Sequence, residues 1–266
     1  MLKFPFNDFR PGQKEIINSV RDTIRNGEKL MIQAPTGFGK TVAVLFGALS
    51  ETYNDNKRIL FLTARKMHQS IIYDTVERIN AASSLNIRYT GINGKNTMCL
   101  IDNNIDADIF NDFCRTMKEK NLCDFYNRTY NNGKTTEITN IAIGRDVSKP
   151  ENAIEIAKQF RLCPYEISVL NAKLSKIIIA NYFHVFNPFV SYPFFTKLNL
   201  RPEDTILIVD EAHNLPNMVM DINSVSISLN KLEKAYKEIL MYDEELSKKV
   251  QDLISSTKTI EKPKII

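Results

Sequence analysis

The chain has 266 residues, 43% of them hydrophobic and 25% charged, a balance that fits a globular protein of one large or two ordinary domains and excludes a fibre or a disordered tail. Basic residues number 35 against 31 acidic, and a net charge of +4 is too small to establish a nucleic-acid partner by itself. No apolar run approaches the roughly 20 residues that cross a bilayer. The start MLKFPFNDFRPGQ also lacks the apolar core of a secretory signal, so no membrane partner and an intracellular location, cytoplasmic or, in a eukaryote, nuclear, are expected.

In chain order, PGQKEIINSVRDTIRNG places Ile16, Val20 and Ile24 at helical spacing, with Pro11 suited to the first turn and Gly27 to the stop. KLMIQA then reads as a short strand ending in a Gly-containing turn, and TVAVLFGAL as a buried helix, which together make half of a βαβ unit. RILFLT and KMHQSIIYDTVERIN repeat the pattern as buried strand and amphipathic helix, and KIIIAN and TILIV supply further buried strands. The fold class is α/β with a parallel sheet covered by helices. Between Ile92 and Lys173 the alternation is lost; this stretch holds every cysteine and polar loops such as NRTYNNGKTTE, and reads as an insertion. From Asn230 to Thr257, Leu232, Ile239, Leu246, Val250 and Leu253 recur at near-helical spacing, with Asn230 and Glu233 suited to a cap.

Ala34-Pro35-Thr36-Gly37-Phe38-Gly39-Lys40-Thr41 lies between the expected strand and the expected helix, where a phosphate loop belongs. Small residues let backbone N–H groups approach phosphate, and the helix N-terminus favours an anion. Lys40 is then expected to reach the β- and γ-phosphates of ATP and Thr41 to hold Mg2+. The alternative is a Gly-containing turn that ends by chance in Lys-Thr. Downstream, Ile206–Val209 end in Asp210-Glu211-Ala212-His213, and strand ends are where a doubly wound sheet places its chemistry. Asp210 suits Mg2+, and Glu211 suits the water that attacks the γ-phosphate. Taken alone, the four letters also fit an acidic surface turn.

AxxGxGKT paired with DEAH resembles superfamily 2 helicases, and Ala34 in place of the commoner Gly is how that superfamily writes the loop. The resemblance implies that His213 couples the nucleotide to the nucleic-acid site and that Gln13, in FRPGQ, reads the adenine edge. His68 and His184 are expected to be structural.

Cys99, Cys114, Cys123 and Cys163 all fall between the two motifs. Intracellular thiols stay reduced, so ligation of a 4Fe-4S cluster or zinc, or plain core packing, are the options. Their wide spacing differs from the paired knuckles of most zinc sites. With Cys163-Pro164-Tyr165 closing the insertion, KIIIANYFHVFNPF following and VDEAHNLP beyond, the chain resembles the XPD/DinG family of iron-sulfur helicases over nearly its whole length. This implies a RecA-like P-loop motor domain over residues 1–95 and 166–228, a small cluster-bearing insertion of helices and loops over 96–165, and from 229 to 266 the start of a helical arch. It also implies ATP-dependent 5′-to-3′ unwinding of forked or single-stranded DNA, commonly in repair, with a second motor domain as partner.

The chain departs from the family in two ways. The later motifs of the second motor domain do not follow His213, so a truncated or split polypeptide of reduced activity is expected. TARKMHQ keeps Thr63 and Gln69 of a DNA-backbone motif but not its usual pattern. Arg115, Lys118, Arg128 and Lys134, interleaved with Phe113, Phe125, Tyr126 and Tyr130, suit either DNA contacts or a solvated face over an aromatic mini-core. A zinc-containing RNA helicase or remodelling ATPase, and a non-enzymatic single-strand-binding or redox-sensing module, are the other readings open to the sequence.

Overall fold

A computed structural model describes residues 1–35, 37–101, 105, 107–224 and 228–259. The described residues form two compact units, Met1–Leu215 and Pro216–Ile266.

The first unit begins with α1 (Gln13–Asn26), capped at both ends by glycines with positive φ, Gly12 and Gly27. Pro11 stands in the turn ahead of the cap rather than in the first helical turn. Ile17 and Val20 are buried, and Arg21 and Arg25 both bind Glu51 on α2 (Lys40–Thr52), which joins the two helices. Then come β1 (Arg58–Thr63), α3 (Lys66–Ser83) and β2 (Tyr89–Ile92). The cysteine-bearing segment holds α4 (Lys95–Met98), α5 (Ala107–Glu119), α6 (Asp124–Thr129), β3 (Tyr130–Asn131), β4 (Lys134–Thr135), α7 (Glu137–Ile143) and α8 (Pro150–Phe160). It leads into α9 (Pro164–Lys173), β5 (Ile177–Asn181), α10 (Phe183–Phe186), α11 (Pro188–Leu198) and β6 (Thr205–Val209).

β2, β5, β1 and β6 form a parallel sheet in that order. β1 and β5 lie at its centre, and their unbroken apolar runs are buried on both faces, as expected of a parallel strand between helical layers. Leu45 and Leu49 of α2 and Ile72 and Val76 of α3 pack on Phe61 and Ile179. Each such side chain contributes about 2 kcal/mol through burial. β6 is an edge strand and only half-buried. The half-buried Arg58 guanidinium, at the start of β1, donates to the carbonyls of Ala172, Ser175 and Leu198, tying the ends of α9 and α11 to the sheet.

β6 is read from the sequence as a buried strand, and its place at the sheet edge corrects this, as the turn position of Pro11 corrects the expected helix start; two more expectations are corrected in this unit. KLMIQA makes no strand pairing: Ile32 packs on the core, but Met31 is 94% exposed, so the run lacks the two-sided burial that holds a parallel strand. NRTYNNGKTTE is not a loop but contributes the end of α6 and a two-stranded hairpin. Asn132 and Gly133 at its tip have φ of 49° and 74°, the pair of positive values that a tight I′ turn requires. The segment also has its own apolar core, with Met98, Ala142, Val147, Ala153, Ala157 and Leu162 buried together against Ile167 of α9. It therefore does not depend on its cysteines for all of its packing.

The second unit holds most of α12 (Leu215–Asn223), then α13 (Leu229–Ile239) and α14 (Glu244–Thr259). The single helix expected from Asn230 is thus a pair. Asp243 interrupts it because its carboxylate accepts the Leu246 N–H at 2.9 Å and starts a new helix with Glu244 and Glu245 in the first turn. Ser228, not Asn230, holds the cap position of α13. Lys258 pairs with Glu233 at 3.0 Å across the two helices. Among the described residues, no helix is long and apolar enough to cross a membrane.

Candidate nucleotide site and cysteine cavity

The loop before α2 has φ of 78° at Gly37 and 84° at Gly39, where backbone N–H groups can turn inward as an anion nest. Gly39 caps α2, and a Cβ there would lie 2.4 Å from Gln13 Nε2, so glycine is required on both counts. Gln13 is buried behind the loop: its amide donates to the Phe38 carbonyl at 3.1 Å and the Gly39 carbonyl at 3.5 Å, and its oxygen accepts the Arg10 N–H at 2.9 Å. The Arg10 guanidinium reaches the Gly37 carbonyl. Lys40 Nζ lies 2.7 Å from the Ala34 carbonyl, folded back over its own loop, and Pro35 follows on the exposed side. Thr41 sits in the first turn of α2, and Thr36 lies outside the described residues.

β6 delivers the acidic pair to the same end of the sheet, where the Asp210 N–H binds the Leu62 carbonyl at the end of β1. Burial pushes the Asp210 carboxyl up, and Glu211 adds to this; His68 and Lys40 hold it down. Lys40 and Asp210, remote in sequence, are thus brought within electrostatic reach. His68, expected to be structural, stands beside the acidic pair as well, and no local pattern marked it. His184 is a packing residue, buried against Phe194. Glu211 has φ of 52°, left-handed and uncommon for a residue with a Cβ. Its carboxylate lies 3.3 Å from Nδ1 of the exposed His213. Thr63 and Gln69 face inward: Thr63 donates to the Arg65 carbonyl and Gln69 accepts the Tyr73 hydroxyl.

Cys99, Cys114, Cys123 and Cys163 line one cavity together with Phe110, Phe113 and Phe125. Cys123 and Cys163 occupy the N-cap positions of α6 and α9. Burial pushes the Cys163 thiol up to about 12, with the Glu166 carboxylate adding to it, and burial also raises Cys99. Among the described residues no three Cys, His, Asp or Glu side chains stand at metal-ligating spacing. Four soft thiol donors on one cavity are nonetheless a donor set that fits either a cluster or zinc.

Beside the cavity, the wholly buried Glu166 accepts from Lys118 of α5 and Lys197 of α11, each at 2.7 Å, and from the Tyr130 hydroxyl at 3.2 Å. Burial raises this carboxyl, but Lys197 and Lys118 outweigh it and hold it below the usual range. Sequence reasoning missed this contact; an acid in the buried helix after Cys163-Pro164-Tyr165 was the available signal, but its partners lie 31 and 48 positions away. Lys118 also covers the Tyr126 ring at 4.3 Å, Arg128 donates to the Phe160 carbonyl, and Phe113 and Phe125 face the cavity. These residues fit the aromatic mini-core. Arg115 pairs with Asp112, and Lys134 is exposed.

Three kinds of similarity bear on this arrangement. The chain is 22% identical over 272 residues to the general transcription and DNA repair factor IIH helicase subunit XPD/RAD3 of Saccharomyces cerevisiae, covering 92% of this chain and 34% of that protein. It is 22% identical to the ATP-dependent DNA helicase CHL1 of Candida glabrata, covering 81% of this chain and 27% of the relative. To the regulator of telomere elongation helicase 1 homolog of Caenorhabditis elegans it is 24% identical, over 92% and 28% of the two chains. The chain therefore spans about a third of the length of these curated relatives. Its fold is that of an XPD helicase structure, with TM-score 0.66 and 19% identity over 94% of this chain and 40% of the other. A truncated XPD gives 0.60 at 20% identity, over 91% and 64%. Residues 62–232, from the end of β1 through the acidic pair and into α13, match the DEAD_2 family model, and the chain belongs to the DEAD_2 family.

Proposed function

We propose that this chain is the nucleotide-binding part of an ATP-dependent DNA helicase that moves 5′ to 3′ and carries a 4Fe-4S cluster, with a role in DNA repair. The observations that carry the reading are the loop of positive-φ glycines from which Lys40 opens α2 and the acidic pair Asp210-Glu211 that follows β6. The names of the relatives support it, since they include ATP-dependent DNA helicases and a DNA repair factor subunit.

In this reading the nest at Gly37 and Gly39 and the α2 N-terminus take the phosphates, and Lys40 leaves the Ala34 carbonyl to reach the β- and γ-oxygens. Gln13 leaves its bonds to Phe38 and Gly39 to contact the adenine edge, which ties that contact to the shape of the loop. Thr41 and Asp210 hold Mg2+, which neutralises charge on the phosphate oxygens. Glu211 orients the attacking water and accepts its proton. His213, bonded to Glu211, relays the nucleotide state toward the DNA site. A second motor domain completes the ATP site with arginines, and single-stranded or forked DNA is the track. Residues 1–95 and 166–228 are the motor domain, 96–165 the cluster domain and 229–266 the start of an arch. The thiolates of Cys99, Cys114, Cys123 and Cys163 are the cluster ligands. A bound cluster supplies a cross-link that stiffens the segment at the fork.

Metal analysis of anaerobically purified protein, together with titration of a fluorescent ATP analogue with and without Mg2+, tests both halves. Iron and sulfide with a brown colour, and Mg2+-dependent nucleotide binding, are expected. Colourless protein with stoichiometric zinc overturns the cluster, and absence of nucleotide binding overturns the motor. By itself the chain is expected to bind ATP weakly and to hydrolyse it little.

A further inference from the structure

At the end of β5, Asn181 and Tyr182 do more than terminate a strand. Tyr182 N–H binds the Thr63 carbonyl and Asn181 Nδ2 donates to the Ala64 carbonyl at 2.8 Å, so the chain crosses to the end of β1. The Tyr182 side chain, 1% exposed, continues in the same direction and its hydroxyl donates to the Asp210 carbonyl at the end of β6. In the order β5, β1, β6 this contact passes over an intervening strand, a span of about 9 to 10 Å at ordinary strand spacing. A long rigid side chain with a donor at its tip is what such a reach needs.

The acceptor is the carbonyl of the peptide that joins Asp210 to Glu211. Its orientation is coupled to the left-handed φ of Glu211, a conformation that costs about 1 kcal/mol or more without support. On the far side the Glu211 carbonyl accepts from Asn214 twice, from the backbone at 3.0 Å and from Nδ2 at 3.1 Å. The two successive peptides that flank Glu211 are therefore each held by a side chain, and the Glu211 carboxylate lies beside His213.

We propose that Tyr182 is a positioning residue for the acidic pair: its hydroxyl fixes the Asp210–Glu211 peptide so that Glu211 keeps its left-handed conformation and Asp210 faces the metal bound with the nucleotide. This assignment rests on the nucleotide reading above.

The test uses the full chain, with Tyr182→Phe removing only the hydroxyl and Asn214→Ala loosening the following peptide, Glu211–Ala212, from the exposed side. A fluorescent ATP analogue is titrated with and without Mg2+, alongside thermal unfolding. Both variants are expected to keep the wild-type melting temperature and Mg2+-free affinity and to lose about tenfold of the gain in affinity that Mg2+ brings, the size of one hydrogen bond. An undiminished Mg2+ gain in Tyr182→Phe, or an equal loss with and without the metal, overturns the assignment. Should Tyr182→Phe fail to fold, an undiminished gain in Asn214→Ala overturns it instead. Wild-type protein with no Mg2+-dependent nucleotide binding overturns the nucleotide reading, and this one with it.

Discussion

The two halves of the first unit place chemistry in opposite relations to packing. In the sheet region, Lys40 opens α2, whose body is buried in apolar contacts, and Asp210 and Glu211 follow the half-buried β6, which is paired to the buried β1. The site can be altered there without removing what holds the fold. In the cysteine-bearing segment the four thiols and Glu166 lie inside the packing, and the groups available for ligation also line the cavity wall. Part of that segment stands on its own core around Ala142, Ala153 and Ala157, but the side facing α5 and α11 is held by charge. Substitutions should therefore separate function from stability in the first region and join them in the second.

The largest expected effect is on ligation: Cys114→Ser should abolish bound iron altogether, read as lost visible absorption and iron content. Far-UV circular dichroism should retain most of the helical signal, because the α7–α8 core does not include the thiols. A variant that keeps its full iron would remove Cys114 from the ligand set.

Next in size is Glu166→Gln, which leaves two lysines near a buried amide and should cost about 3 to 5 kcal/mol in urea unfolding. The pH dependence has a definite sign. The folded carboxyl lies below its ordinary value, so its stabilisation is complete above the unfolded value of about 4.3 and is lost as pH falls through the lower folded one. Wild type and variant should differ at pH 7 and converge in acid; a pH-independent gap would contradict the ion-pair account.

A smaller change, and one confined to function, is expected at the sheet. Lys40→Ala should weaken nucleotide binding by about 1.5 to 3 kcal/mol, the worth of a charge-assisted hydrogen bond, with no shift in melting temperature. A matched loss of stability would mean that the contrast between the two regions does not hold. Acidification should act through Asp210: its raised carboxyl protonates before an ordinary aspartate, so Mg2+-dependent binding should already decline above pH of about 3.9.

The smallest effect lies in the second unit. Asp243→Ala removes the cap of α14 and should cost about 1 kcal/mol, read as faster amide exchange over residues 244–248. An unchanged exchange pattern would return that stretch to one continuous helix.

Much of the fold was legible where one-dimensional pattern and three-dimensional environment coincide. Ile59–Leu62 and Ile177–Ala180 are continuous apolar runs, and only a strand buried on both faces accommodates them. Gly27 at the end of α1 and the glycines of the loop before α2 were likewise readable, because positive φ restricts the residue type. KLMIQA misled because apolarity alone does not create a ladder partner. The hairpin at Asn132-Gly133 and the break at Asp243 carried signals of their own, an Asn-Gly turn and an Asp before two glutamates, but they lay within stretches read as loop and helix. Glu166, His68 and Tyr182 gain their meaning from partners distant in sequence, and no window along the chain contains both members of those contacts.

By itself the sequence determined which chemical groups exist and at which element ends they stand: a lysine opening a helix, two carboxylates closing a strand, four thiols in one insertion. Those follow from local rules of periodicity, capping and φ, which act over a few residues. Only the tertiary structure decided which groups meet. Strand order sets Tyr182 over β1 against Asp210, and the packing of α5 and α11 on α9 gives a buried carboxylate two cations. The physical reason is that parallel pairing and charge burial are non-local, so their energies depend on distances in space that sequence spacing does not encode.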